Sequence, residues 1–159
     1  MNLNLPYLYY YLIFSCGLLA LALLFIPRSQ IQRLFWMGML CGSGVDFGFE
    51  YIYSLLNLTR YQHIEPFNIG MLSIWTVLAW TPTVMLFIYF LPKRKEPYIQ
   101  WLYLIIWTVA TSFVGILLSQ LGLMVFVKAG PWLWLIVGFI FYYLIAKFYR
   151  YLEDKRDNL

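Results

Sequence analysis

Long apolar runs separated by short polar breaks make up most of the chain, over about residues 7–26, 35–57, 70–91, 98–120 and 131–148. Each run approaches the roughly 20 apolar residues needed to cross a hydrocarbon core of about 30 Å. In lipid a helix satisfies its own backbone groups, which an open strand does not. The pattern therefore predicts an all-α fold: an integral membrane helical bundle of about five transmembrane helices in one domain over residues 1–150, followed by a charged tail over 151–159. Pro27 closes the first run. Only Leu121 to Gly130 separates the fourth run from the fifth, where Gly122, Lys128, Gly130 and Pro131 favour a break; without it there would be four spans. The first run has neither a basic segment before it nor a small-residue cleavage site, so it reads as a retained span rather than a signal peptide.

Composition agrees with the pattern. Of 159 residues, 63% are hydrophobic and 11% charged, against about a quarter charged in ordinary soluble domains. The net charge of +4 is distributed by topology: Arg28, Arg33, Lys93, Arg94, Lys95, Lys147, Arg150, Lys155 and Arg156 lie on one side of the expected spans, and Arg60 and Lys128 on the other. Cytoplasmic loops retain Lys and Arg, so the expectation is a multi-pass protein of the cell membrane with its N-terminus outside and its tail in the cytoplasm. Nucleic acid is not an expected partner. Tyr7, Trp36, Tyr98, Trp101, Trp132 and Tyr149 suit interfacial aromatic belts. Cys16 and Cys41 fall within apolar runs and read as small buried hydrophobes, not as a disulfide.

The chemistry-bearing residues concentrate in the second run. Asp46 and Glu50 are one helical turn apart, on an approximate stripe with Met39, Gly42, Ser43, Tyr53 and Asn57. An ionised carboxylate at mid-bilayer costs at least about 2.5–3.5 kcal/mol, so such an acid calls for a partner, a watery cavity or a proton. If Asp46 is near the midplane, Glu50 lies about 6 Å closer to the outer face, within reach of Arg60, His63 or Lys128. Asp46 has no basic residue at its depth. Ser15, Thr81, Thr83, Thr108, Thr111 and Ser112 fall near the same level and would form a polar layer with Asp46, while Pro82 would free a carbonyl near Leu78. Gly38 with Gly42, and Gly44 with Gly48, have the spacing of close helix contacts.

Other chemistries find less footing. The GSGVD stretch, Gly42 to Asp46, is off by one from the GxGD motif of intramembrane aspartyl proteases, and no other span supplies a second acid. His63 is the single histidine, and a metal site there would need Glu65 and further ligands, so no metal is expected. A Gly-rich phosphate loop, a Ser–His pair and an aspartate-rich magnesium motif are all missing from the sequence. No cofactor is indicated. The Lys93, Arg94, Lys95 cluster fits a topology-fixing loop, with anionic lipid as the other reading.

The acidic, tyrosine-bearing VDFGFEYIY (Val45 to Tyr53), the FLPKRKEPYIQW segment (Phe90 to Trp101) and the helix end YYLIAKFYRYLE (Tyr142 to Glu153) together resemble an uncharacterised family of small multi-pass membrane proteins of Bacillus- and Clostridium-type bacteria. The resemblance implies four to five helices and an envelope location, with no reaction to carry over.

Three functional expectations follow. Minimal loops, packing glycines and no catalytic set point first to a non-enzymatic subunit or interaction partner of a membrane assembly, with the bilayer, copies of itself or other membrane subunits as partners. The second is transport or sensing of a proton, cation or small solute through Asp46 and Glu50. The third is an enzyme acting on a lipid or isoprenoid, with one of those acids protonated and aromatic rings shielding a cationic intermediate.

Overall fold

A computed structural model of the chain describes residues 5–64, 68–69, 72–93, 96–128 and 130–157. Helix α1 spans Leu5–Phe25, and after Pro27 the chain turns at once into α2 (Arg28–Met37). A π-helical segment, Gly38–Gly44, joins α2 to α3 (Val45–Leu55) without a break in the helix. Next come three short strands, β1 (Thr59–Tyr61), β2 (Asn68–Ile69) and β3 (Leu72–Ser73), then α4 (Ile74–Tyr89), α5 (Pro97–Gln120), β4 (Met124–Phe126) and α6 (Pro131–Asp157). Counting α2 to α3 as one, the described residues form five helices, in the order the apolar runs predict.

Two of them, Pro97–Gln120 and Pro131–Arg156, are long and apolar enough to cross a membrane by length and composition, whereas Tyr9–Phe25 and Ile74–Tyr89 are shorter apolar helices. The expectation of five full spans is thus met in helix number and not in span number. The start of the third run is spent on β3, which pairs with β2 just before the run, and Ser73 starts α4 as its N-cap by accepting from the Thr76 N–H. The second run is divided by the π segment. Helix α6 continues through residues 151–157 of the charged tail.

Matching motifs end α3 and α5. Beyond α3, Asn57 takes a left-handed conformation (φ 51°), with Leu58 N–H donating to the Tyr53 carbonyl and Asn57 N–H to that of Ser54. Beyond α5, Gly122 does the same (φ 72°), with Leu123 N–H donating to Leu118 and Gly122 N–H to Ser119. Both are Schellman closures, which satisfy carbonyls at a helix end and turn the chain sharply. Each leads into a strand, and β1 pairs antiparallel with β4 in the register Thr59↔Phe126, Arg60↔Val125 and Tyr61↔Met124. The Tyr11 hydroxyl of α1 lies 2.6 Å from the Leu123 carbonyl and 2.9 Å from that of Gln62, securing α1 to the same strap.

The opposite end is tied by Arg150, which donates to Gln100 Oε1 (2.6 Å) and to the Pro92 carbonyl (3.1 Å), and by a partly exposed Arg33–Glu153 pair at 3.8 Å. Helix α4 lies centrally, packed on α1 and on the π segment, while α5 and α6 pack on each other. These two groups meet through rings rather than through close backbones: Phe49 and Trp80 against Phe141, and Phe87 against Tyr103, Trp107 and Tyr142. One buried cluster, around Val84, Phe87, Leu104 and Tyr142, occupies the Arg150 side, and another, around Tyr11, Leu118, Leu123 and Met124, lies under the strap.

Candidate acidic cavity

The π segment determines how the second helix meets α4. Gly38 and Gly42 lie on its buried face, where a Cβ would come within 2.5 Å of the Thr81 carbonyl oxygen and 2.6 Å of that of Trp80. Because they have no side chain, Ser43 reaches the α4 backbone. It donates to the Val77 carbonyl and shares a 2.6 Å hydrogen bond with Thr81 Oγ1. Pro82 has no N–H to offer the preceding turn, and the carbonyl that Ser43 serves is that of Val77 rather than Leu78.

The wider π turn also resets the helix face. Gly38, Gly42, Ser43, Asp46 and Glu50 are buried, whereas Met39, expected on this stripe, is exposed. Asn57, also expected there, lies beyond the helix in its closing turn. The second glycine pair does not make a helix contact: a Cβ on Gly48 would meet nothing within 4 Å, and one on Gly44 would meet only Met39 O of its own helix, at 3.4 Å.

Asp46 and Glu50 are 9% and 5% exposed. Glu50 Oε1 accepts from Thr76 Oγ1 at 2.8 Å, and its carboxylate also takes a hydrogen bond from the Tyr61 hydroxyl. Asp46 Oδ2 and Glu50 Oε2 are buried with no hydrogen-bond partner among the described residues. The partners of Glu50 are therefore neutral hydroxyls in place of the expected cations. Arg60 and Lys128 are exposed at the strap, and the His63 ring stacks on Tyr7 at 4.0 Å. Burial, followed by the Glu50 and Asp46 carboxylates, pushes the Tyr61 phenol well above its ordinary range, so it stays a donor.

Both acids line a partly open cavity of about 50 Å³ between α3, β1, α4, α5 and α6, whose other walls include Phe49, Tyr53, Trp80, Thr111, Trp134 and Phe141. Beside it lies a second cavity of about 190 Å³, walled by Phe14, Leu18, Ala79, Trp107, Val114 and Leu118 among others. Tyr61, Trp80, Thr111 and Trp134 border both.

The expected polar layer is dispersed. Thr111 lines the acidic cavity and bonds the Trp107 carbonyl and the Tyr142 hydroxyl, but Thr81 is taken by Ser43, Thr83 by the Ala79 carbonyl and Ser15 by the Trp75 carbonyl. Thr108 and Ser112 are buried on α5 outside both cavities, with no hydroxyl partner among the described residues. Hydroxyls on a helix are readily absorbed by nearby carbonyls, which is why a shared depth does not bring them together. Cys16 is exposed, contrary to expectation, Cys41 is half-buried, and the two are not bonded. Glu65, Gly70, Arg94 and Lys95 lie outside the described residues, and no group of three or more metal-ligating side chains occurs among those described.

Thr76 and Tyr61 are the partners that sequence reasoning missed. Thr76 stands at the outer start of the third run, at the depth assigned to Glu50, so the same alignment by level contained it. Tyr61 sits in a loop and gave no signal.

The fold and site together define an all-helical protein with a partly open, aromatic-walled acidic cavity. No protein-family model matches the chain, and neither does any curated protein or solved structure.

Proposed function

We propose that the chain is a multi-pass membrane protein that takes up a proton or a cation at Asp46 and Glu50, for sensing or for transport. The observation that carries this reading is that Asp46 and Glu50 line one cavity while a buried oxygen of each, Asp46 Oδ2 and Glu50 Oε2, has no hydrogen-bond partner among the described residues. Buried carboxylates whose neighbours are neutral hydroxyls and rings lack compensating charge, and a proton or a bound cation supplies it.

Support for the membrane setting comes from the outward faces of the helices. The apolar windows of α5 and α6 are only 28% and 22% buried, whereas the core helix of a soluble protein is mostly enclosed. Large apolar side chains such as Ile13, Leu24, Leu40, Leu55, Phe113 and Leu144 point outward on the other helices and on these two. The strap joins the α3–α4 and α5–α6 connections at one end, and Arg150 and Arg33 lie at the other, in keeping with the charge asymmetry. The packing glycines counted toward the subunit reading do not single it out, since Gly38 and Gly42 pack on α4 of the same chain.

The test is infrared difference spectroscopy of the reconstituted full chain on changing pH and on adding potassium or an ammonium salt. A carboxyl band that responds, and is lost in both Asp46→Asn and Glu50→Gln, is the expected result. A spectrum indifferent to every one of these changes overturns the reading.

A further inference from the structure

The acidic cavity alone is small. Its volume of about 50 Å³ exceeds the roughly 10–15 Å³ that a single water requires, which is room for an ammonium group. Asp46, Glu50 and Thr111 line this space, and one carboxylate oxygen of each acid, Asp46 Oδ2 and Glu50 Oε2, has no donor among the described residues. A primary ammonium carries three N–H donors, which such acceptors satisfy; a bare metal ion would want more oxygen ligands than the cavity offers. The rings of Phe49, Tyr53, Trp80, Trp134 and Phe141 also line it, and aromatic faces favour a desolvated cation.

The adjoining cavity has the opposite character. At about 190 Å³ it is walled by aliphatic and aromatic side chains, with Tyr61, Thr76, Thr83 and Thr111 as its polar members. Apolar cavities of about 150 Å³ accommodate benzene, so this one matches a chain of about six carbons. Shared walls at Tyr61, Trp80, Thr111 and Trp134 set the two volumes side by side.

We infer that the two cavities form one head-and-tail site for a primary alkylammonium ion, its ammonium group between Asp46 and Glu50 and a tail of about six carbons in the apolar cavity. This rests on the reading of the acidic pair as a cation site and adds the class of cation.

The experiment titrates the purified full chain in mild detergent with hexylammonium, following tryptophan fluorescence, since Trp80 and Trp134 border both cavities. Saturable binding is expected, weaker by at least about tenfold for trimethylhexylammonium and for hexanol, which lack the donors or the charge. Glu50→Gln should weaken hexylammonium by a similar factor. Ala110 lines the tail cavity and not the acidic one, so Ala110→Leu should weaken hexylammonium while preserving the carboxyl infrared response to ammonium ion or pH. Size-exclusion chromatography verifies that both variants are folded. Hexanol binding as tightly as hexylammonium, no saturable hexylammonium binding, or an Ala110→Leu protein that binds hexylammonium like wild type would each overturn the inference. A persisting carboxyl response in those cases leaves the broader cation reading standing; its absence removes both.

Discussion

Thr76 Oγ1 lies 2.8 Å from Glu50 Oε1 and 2.9 Å from the Ser73 carbonyl oxygen. A hydroxyl has one proton to donate and can also accept. With Glu50 ionised, the carboxylate and the Ser73 carbonyl compete for that proton. With a proton on Glu50, the acid donates to Thr76 and Thr76 donates to Ser73, so every group is used. Thr76 thus links the occupancy of the acidic pair to the backbone at the start of α4.

Replacing Thr76 by Val keeps the shape and removes both functions of the hydroxyl. The expected loss is about 1–3 kcal/mol, the cost of a buried polar group left unsatisfied, seen as a lower unfolding temperature in detergent. Thr76→Ser should keep most of the stability. Equal melting of the Val and Ser variants would show that the hydroxyl is not holding Glu50.

The glycines make a sharper contrast. Gly42→Ala and Gly38→Ala would drive a methyl into carbonyl oxygens of α4, which cannot swing aside as a side chain does. Overpacking of this kind costs about 1–3 kcal/mol. Gly48→Ala meets open space and should be neutral or gain up to about 1 kcal/mol from helix propensity. Thermal unfolding of the three variants checks the ranking, and equal effects at Gly42 and Gly48 would contradict the packing of the π segment on α4.

That contrast also marks how far the sequence could be read. Four glycines with the same spacing look alike on a uniform helix, and nothing local announces that seven residues, Gly38–Gly44, take a π turn. The turn arises from the fit to α4, and it rather than the sequence spacing selects Gly38 and Gly42. Asp46 and Glu50 were legible because two carboxylates in an apolar run contradict their surroundings. Thr76 was legible in principle by depth, while Tyr61 was not, because a three-residue strand has no pattern until its partner, Met124–Phe126, is in place. Helix order was legible because proline, glycine and charge punctuate every junction; the short length of α4 was not, because β3 takes up residues at the start of a run that composition assigns to a span.

Tyr61 yields a prediction about alkaline pH. Its phenol is raised well above the ordinary 10, first by burial and then by the Glu50 and Asp46 carboxylates. The folded state therefore holds this proton where the unfolded chain releases it, so its contribution to stability is intact below about pH 10 and fades as pH rises past that value. In a spectrophotometric titration, the difference between wild type and Tyr61→Phe should show no phenolate absorbance at pH 10. Half-ionisation of Tyr61 at that pH would mean that the hydroxyl is not enclosed with the carboxylates.

The strap can be tested by cross-linking, and the outcome bears on the whole arrangement. Arg60 and Val125 are register partners across β1 and β4, and both side chains are exposed. Directly opposed residues on antiparallel strands have Cα atoms about 4.5–5.5 Å apart, within the span a disulfide bridges. In a background with Cys16→Ala and Cys41→Ala, Arg60→Cys with Val125→Cys should cross-link rapidly under mild oxidation, whereas Arg60→Cys with Val127→Cys, set diagonally, should lag well behind. A fast bridge fixes the α3–α4 and α5–α6 connections at the same end of the bundle, as alternating helices require. It also locks the strand that carries Tyr61 over the cavity. Oxidised protein that retains the carboxyl response would then place cation entry elsewhere than through an opening of the strap, between the helix groups that meet at Phe49, Trp80 and Phe141. Equal rates for the two cysteine pairs would mean that β1 and β4 do not hold their register.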